Sequence, residues 1–377
     1  KEPKTIEWDA EAAEKAGYEH FMMKEIHEQP KAVKDTLNSV LKDGQIDLSE
    51  VGLTDEDIRK ISQIYIVACG SAYHVGMAAQ YVIEDLARIP VRVELASEFR
   101  YRNPILDPNG LVIIISQSGE TADSLAALRE AKERGNRTLG IVNVVGSSIA
   151  READNVFYTL AGPEIAVAST KAYTTQLVAL LLLSLYMAQL RGTISMDLIH
   201  KITDGLRDLP KQIEKVLEEK DHMAEVAERL IKASDIFYLG RSIDYAIAME
   251  GALKLKEVSY IHAEAYAAGE LKHGTLALIT PATPVIAVAT QDSVSSKMYS
   301  NIQEVKARGA EVLGIGYDDD KELGKYTTET VRIPRVDFFI APILSVIPMQ
   351  LLAYYTSVKR GNDVDKPRNL AKSVTVE

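Results

Sequence analysis

The chain has 377 residues, 46% of them hydrophobic and 26% charged, a balance that suits a soluble globular protein with two or three cores. A formal net charge of −11 argues against a nucleic-acid partner and against an anionic membrane surface, both of which call for a basic face. Cys69 is the single cysteine; that excludes an internal disulfide and a multi-cysteine metal site, points to a reducing, cytoplasmic compartment, and reads as a small buried residue.

Residues 1–50 contain the only tryptophan, Trp8, a helical stretch over 10–28 ended by Gln29-Pro30, and a second over 32–41. Neither folds alone, so together they read as an arm packed on the domain after them. The chain opens with Lys1 rather than Met, which suggests a piece of a longer polypeptide. Residues 44–55 are polar turn material. From there to residue 195 strands and helices alternate: strand 64–68, the turn Cys69-Gly70-Ser71-Ala72, helix 74–87, strands 91–95 and 111–115, helix 122–134, strands 138–142 and 156–159, and an apolar helix over 171–190. The most apolar part, 177–190, is 14 residues long and too short to cross a bilayer, so it reads as a buried helix. Residues 196–231 carry Lys, Glu and Leu at helical spacing with no strand signal, a helical connector.

After the connector the pattern starts again. Residues 236–242 repeat the first strand and turn, 284–289 repeat the apolar strand, and the run from Glu304 to Ile315 echoes that from Glu130 to Ile141. Glu130 and Glu304 stand 174 residues apart, Ala68 and Gly240 172, so a domain-sized unit occurs twice. The order predicts an α/β fold of two mostly parallel sheets flanked by helices, with subdomains over 51–195 and 232–360, the connector over 196–231 and a tail over 361–377.

The stretch Leu111-Val112-Ile113-Ile114-Ile115-Ser116-Gln117-Ser118-Gly119-Glu120-Thr121 runs five aliphatic residues into small hydroxyl residues and a glycine. Unbroken aliphatic residues read as a strand buried on both faces of a parallel sheet. The hydroxyl loop then lies between a strand's C-terminal end and a helix N-terminus, where free N–H groups and the helix dipole attract anions. Ser116, Ser118 and Thr121 add hydroxyls and Gly119 allows close approach, which predicts a phosphate site. The alternative is an ordinary N-cap, but a cap needs one hydroxyl and three are present. The second copy has Thr290-Gln291-Asp292-Ser293-Val294-Ser295 there, without the glycine and with Asp292 where a phosphate would lie. One phosphate site per chain is expected, in the first copy.

Residues 251–279 are dense in Lys, Glu and His. Lys254 and Glu257, three apart, share a helix face; a solvated salt pair is the simpler account, and a carboxylate beside an amine in a cleft is also what proton abstraction from a sugar carbon requires. His273 before Gly274 reads equally as a loop hydrogen-bonder. A tail over 362–377 frays by default; Lys372 becomes an amine nucleophile only if the tail folds over a pocket. Walker, Gly-x-Gly-x-x-Gly and His-Glu-x-x-His patterns are missing from the sequence, so neither nucleotide nor metal is indicated.

Seven motifs then stand out: residues 17–30, Cys69-Gly70-Ser71, residues 116–121, Glu164-Ile165-Ala166-Val167-Ala168-Ser169-Thr170-Lys171, residues 250–257, Glu270-Leu271-Lys272-His273-Gly274, and residues 365–377 with Lys372 near their end. On these, spread over nearly the whole chain, the sequence resembles the sugar-isomerase (SIS) domain family, and more narrowly the isomerase half of the glutamine–fructose-6-phosphate aminotransferases. The resemblance implies two tandem SIS subdomains and a ketose/aldose isomerase that works without a cofactor on fructose 6-phosphate, glucose 6-phosphate and glucosamine 6-phosphate. It implies that Ser116, Gln117, Ser118 and Thr121 hold the phosphate and that Ser71, Val167, Ser169 and Ala371 line the sugar pocket. Lys372 would form a Schiff base with the open-chain ketose, Glu257 would move the proton between C1 and C2 with Lys254 beside it, Arg368 would orient the tail, and His273 would assist ring opening from a partner subunit, hence a homodimer. The family's glutaminase domain, which supplies ammonia, is not in these 377 residues. One departure is Ser71-Ala72 where the family has two hydroxyl residues, a loss of one hydrogen bond of about 1 kcal/mol. Other readings are a related phosphosugar isomerase or deglycase, which the terminal lysine motif disfavours, and a non-catalytic sugar-phosphate sensor, which would need an output module.

Overall fold

Aliphatic runs without polar alternation have to be covered on both faces. In the computed structural model, which describes residues 14–42 and 44–376, they form the centres of two parallel five-stranded sheets. The chain divides into two units. Of the described residues, unit 1 holds 14–18, 31–207 and 371–376, and unit 2 holds Glu19–Pro30 and Asp208–Leu370.

In unit 1 a short hairpin of β1 (Leu41–Lys42) and β2 (Gln45–Ile46) precedes the sheet of β3 (Gln63–Ala68), β4 (Val91–Leu95), β5 (Gly110–Ser116), β6 (Arg137–Val142) and β7 (Asn155–Tyr158), in the order β4-β3-β5-β6-β7. Every residue of β5 is buried. Val112 and Ile114 pack one face against Ala127, Leu128 and Ala131 of the helix Ala122–Glu133. The chain turns outward in opposite directions after β3 and β5, neighbours in register from Gln63 opposite Gly110 to Ala68 opposite Ile115. That makes the C-terminal ends of these two strands the switch point at which open α/β sheets bind ligands.

Unit 2 repeats the plan with β8 (Asp235–Gly240), β9 (His262–Ala267), β10 (Pro284–Ala289), β11 (Glu311–Tyr317) and β12 (Glu329–Ile333), in the order β9-β8-β10-β11-β12. The strand order is that of unit 1, position for position, so the duplication read in the sequence is a duplication of topology. The helices Ile243–Ser259 and Ala341–Lys359 pack on each other within this unit.

Several elements differ from the sequence expectation. The apolar helix is Lys171–Arg191, 21 residues, so it is long enough to cross a membrane, as is Ala341–Lys359; both are instead the buried core helices of their units. The turn expected at Cys69-Gly70-Ser71-Ala72 is already the first turn of the helix Gly70–Leu86, with Cys69 at its N-cap. The first helix begins only at Phe21, after Ala16 and Gly17 with positive φ; Trp8 and residues 10–13 lie outside the described residues. The first helix ends at His27, just before Gln29-Pro30 as the sequence suggests, and Pro30 itself sits in the first turn of the next helix, Gln29–Val40, where its missing N–H costs nothing. A capped helix Asp55–Lys60 occupies the end of the polar stretch, closed by reciprocal bonds between Thr54 and Asp57.

Residues 1–50, expected to act as one arm, are shared between the units. Helix Phe21–His27 belongs to unit 2, where the buried carboxylate of Asp365 accepts the N–H groups of Phe21 and Met22, each at 2.9 Å. The tail is shared as well. Its first part, with Val364 and Asp365 buried, stays with unit 2, and only Ala371 onward joins unit 1.

Candidate active site

In unit 1 the hydroxyl loop leaves β5 at Ser116 and folds back on itself. Gly119 N–H donates to Ser116 Oγ at 3.0 Å and Glu120 N–H to Ser118 Oγ at 3.2 Å, while Ser116 Oγ and Thr121 Oγ1 lie 3.1 Å apart. The amides expected to be free are therefore met by the loop's own hydroxyls. Thr121 occupies the N-cap position of the helix Ala122–Glu133 but makes no capping bond, so the ordinary N-cap account does not use its hydroxyl. Gly119 has φ +66°, and a Cβ there would lie 2.1 Å from Ser147 Oγ, so both conformation and space demand glycine. Gln117 is half-buried, its carbonyl taken by Asn143 N–H at 3.1 Å.

The C-terminal tail reaches this loop. Ser373 Oγ lies 3.0 Å from Ser118 Oγ, and the first amide of the helix, Ala122 N–H, donates to Val374 O at 3.0 Å. Lys372 is fixed by a residue for which the sequence reading had no role. Its Nζ lies 2.5 Å from Oε2 of Glu164, a carboxylate with a wholly buried side chain. Glu164 also accepts from Ser169 Oγ (3.0 Å), Thr170 N–H (2.9 Å) and Ala172 N–H (3.0 Å), the latter two at the start of the helix Lys171–Arg191. Burial alone would push this carboxyl up; the Lys372 ammonium and the surrounding donors outweigh it and hold it at about 2. Ser169 thus meets Glu164, Val167 is half-buried in the same loop, and Ala371, beside Lys372, is exposed. Ser71 is half-buried in the first turn after Cys69, whose thiol burial pushes up, as suits a structural residue.

In unit 2 the helix Ile243–Ser259 carries Glu250, Lys254 and Glu257 along one stripe. Lys254 Nζ lies 2.5 Å from Glu257 Oε2 and 3.4 Å from Glu250 Oε1. The solvated pair favoured from spacing is not what forms: the Lys254 and Glu250 side chains are 1% exposed, and only Glu257, at 22%, reaches solvent. A buried ammonium with a carboxylate on each side keeps Glu257 oriented and leaves it the accessible member. Glu250 completes the set at i−4 and was missed, although it opens the motif. Arg368 is exposed, its guanidinium stacked 4.2 Å over the Tyr260 ring while its N–H donates to Tyr260 Oη at 2.8 Å, which ties down the start of the tail. His273 ends a short 3-10 turn, Ala268–His273, and is exposed without a side-chain partner among the described residues.

The loop of unit 2 that matches the hydroxyl loop of unit 1 is closed from within. Thr290, the counterpart of Ser116, donates its N–H (2.7 Å) and hydroxyl (2.6 Å) to the buried carboxylate of Asp244, and Asp292 pairs with Arg335 at 2.8 Å. Burial raises Asp244 to about 6 against those hydrogen bonds. A buried carboxylate thus takes the donors that an anion would need. Asp244, more than Asp292, distinguishes the two copies.

Comparison with known proteins agrees with this duplicated architecture. The SIS domain family matches residues 57–186 and 229–360. A glutamine–fructose-6-phosphate aminotransferase [isomerizing] of Clostridium acetobutylicum is 58% identical over all of this chain and 62% of its own length, and that of Clostridium tetani 56% identical over 99% of this chain and 61% of its own. The solved C-terminal domain of glucosamine-fructose-6-phosphate aminotransferase from Francisella tularensis is similar with a TM-score of 0.91 and 43% identity, over 94% of this chain and 99% of that domain. The chain spans about three fifths of the length of the curated relatives it matches. It belongs to the SIS domain family and, within it, with the C-terminal double-SIS domains of the glutamine–fructose-6-phosphate aminotransferases.

Proposed function

We propose that the chain is the isomerase half of a glucosamine-6-phosphate synthase. It interconverts fructose 6-phosphate and glucose 6-phosphate, and with ammonia it converts fructose 6-phosphate to glucosamine 6-phosphate and water. The observation that carries this is the tail: its lysine is held at Glu164 while the neighbouring Ser373 touches the hydroxyl loop. An amine able to attack a carbonyl and a loop suited to a sugar phosphate belong to one unit.

In this reading Ser116, Gln117, Ser118 and Thr121 take the phosphate, with Ser71, Val167, Ser169 and Ala371 along the sugar. In the amination Lys372 leaves Glu164 and condenses with the C2 ketone, releasing water, and ammonia then adds at the C2 imine and expels the Lys372 amine, leaving the imine nitrogen on the sugar. Glu257, oriented by Lys254, takes the C1 proton and returns it at C2. His273 opens the ring, acting from the partner in a homodimer, and Arg368 sets the path of the tail. The ammonia comes from a glutaminase domain, and the reaction belongs to the cytoplasm. Incubating the 377-residue chain with fructose 6-phosphate, with and without ammonium, tests the reading: glucose 6-phosphate forms without ammonium and glucosamine 6-phosphate with it. Binding without either product would favour a sensor.

A further inference from the structure

An acidic residue in the middle of a phosphate loop is electrostatically misplaced, since a carboxylate facing a phosphate would weaken its binding. Glu120 occupies that place between Gly119 and Thr121. The structure turns its side chain out of the loop: Oε1 accepts Ser148 N–H at 2.7 Å and Oε2 accepts Ser148 Oγ at 2.7 Å. Arg151 donates to the same Ser148 hydroxyl at 2.9 Å. Two further bonds take the same route, Ile149 N–H to Gly119 O at 3.0 Å and Asn143 N–H to Gln117 O at 3.1 Å. The carbonyls of Gln117 and Gly119 and the carboxylate of Glu120 thus all bind the segment 143–149. The hydroxyls of Ser116, Ser118 and Thr121 remain with the loop's own amides and the tail. Ser147 lies directly under Gly119, so a Cβ there would collide with it and the loop packs closely on this segment.

We propose that Glu120 is a positioning residue for phosphate recognition: by binding Ser148 it clamps the loop so that its hydroxyls and amides are ordered for the anion before the anion arrives. The inference rests on the phosphate reading of the loop. Pre-ordering lowers the entropy lost on binding, so its loss is read in affinity for the phosphate group and not in the chemical step.

The test compares Glu120→Ala and Glu120→Gln with the parent chain in fructose 6-phosphate isomerisation and in inhibition by inorganic phosphate. Glu120→Ala should raise KM and the phosphate inhibition constant together by about tenfold, the effect of losing a charge-assisted pair of bonds, with kcat changed less than about twofold. Glu120→Gln keeps one acceptor for Ser148 and should recover part of the loss. An unchanged KM overturns the proposal, and a lowered KM overturns it in the opposite sense by showing that the carboxylate faces the anion. A merely structural role would lower the unfolding midpoint and leave both constants alone. Ser116→Ala and Thr121→Val separate the two levels: if these leave KM and phosphate inhibition unaltered, the phosphate reading itself fails, whatever Glu120 does.

Discussion

Lys372 Nζ and Glu164 Oε2 stand 2.5 Å apart although 208 residues separate them in the chain, and the carboxylate is sealed from solvent by its own loop and the start of the helix Lys171–Arg191. The pair fastens the end of the tail to unit 1, next to Ser373, which touches the hydroxyl loop.

Lys372→Ala and Lys372→Arg should separate anchoring from chemistry. Alanine leaves Glu164 buried without its cation and should destabilise unit 1 by roughly 3 kcal/mol, with amination lost. Arginine restores the charge but forms no imine, so the unfolding midpoint in urea should return towards that of the parent while amination stays lost. Amination by either variant at the parent's rate would remove Lys372 from the chemistry.

Glu164 is held near 2 in the folded chain against an ordinary value of 4.5. A depressed carboxyl stabilises the fold fully above its unfolded value, and this stabilisation is lost as pH falls from about 4.5 towards 2. It amounts to a few kcal/mol, on the order of 3. The difference in urea stability between the parent and Glu164→Gln should be constant from about pH 5 to 7 and shrink below about pH 4.5. A difference that stays flat down to acid would show that the pairing is not electrostatic in origin.

Gly119→Ala places a methyl 2.1 Å from Ser147 Oγ on a backbone with φ +66°. The left-handed conformation alone costs about 1–2 kcal/mol, and the contact forces the loop off the segment beneath it. Binding of inorganic phosphate, measured calorimetrically, should weaken by at least about tenfold. Adding Ser147→Gly relieves the contact but not the backbone strain, so it should restore part of the affinity. Full affinity in Gly119→Ala would show that the loop needs no glycine.

In unit 2, Lys254→Met takes away the cation between Glu250 and Glu257 and leaves a buried carboxylate without it. A loss of about 3–5 kcal/mol is expected, read from urea unfolding. The double variant Lys254→Met, Glu250→Leu removes both buried charges and should recover much of that stability while leaving Glu257 poorly oriented and isomerisation slow. Normal turnover in the double variant would mean that Glu257 does not depend on Lys254.

How far each feature was legible in the sequence depends on how local it is. The aliphatic run into Ser116–Thr121 declares both the buried strand and the loop at its end, because the periodicity, the hydroxyls and Gly119 are adjacent. The duplication was visible for the same reason, since whole strand-turn-helix units recur. The partner of Lys372 was not visible: a lone carboxylate between Pro163 and Ile165 gives no sign that a tail from the far end of the chain will reach it. Helical spacing placed Lys254 and Glu257 on one face but could not say that this face turns inward, which decided against the solvated pair. Asp244 lies outside the compared loop, in the helix after β8, so the sequence comparison of the two loops rests on the missing glycine and Asp292 and does not reveal the carboxylate that takes the Thr290 donors. The break before Phe21 had a usable signal, Gly17, which the helical reading of residues 10–28 passed over.

The most direct test of the account is borohydride trapping. Fructose 6-phosphate is added to the chain, the imine is reduced to a secondary amine, and the modified residue is identified by peptide mass spectrometry. The account predicts one hexose phosphate adduct, on Lys372, suppressed by excess inorganic phosphate. An adduct on another lysine, or none while isomerisation proceeds, would contradict it.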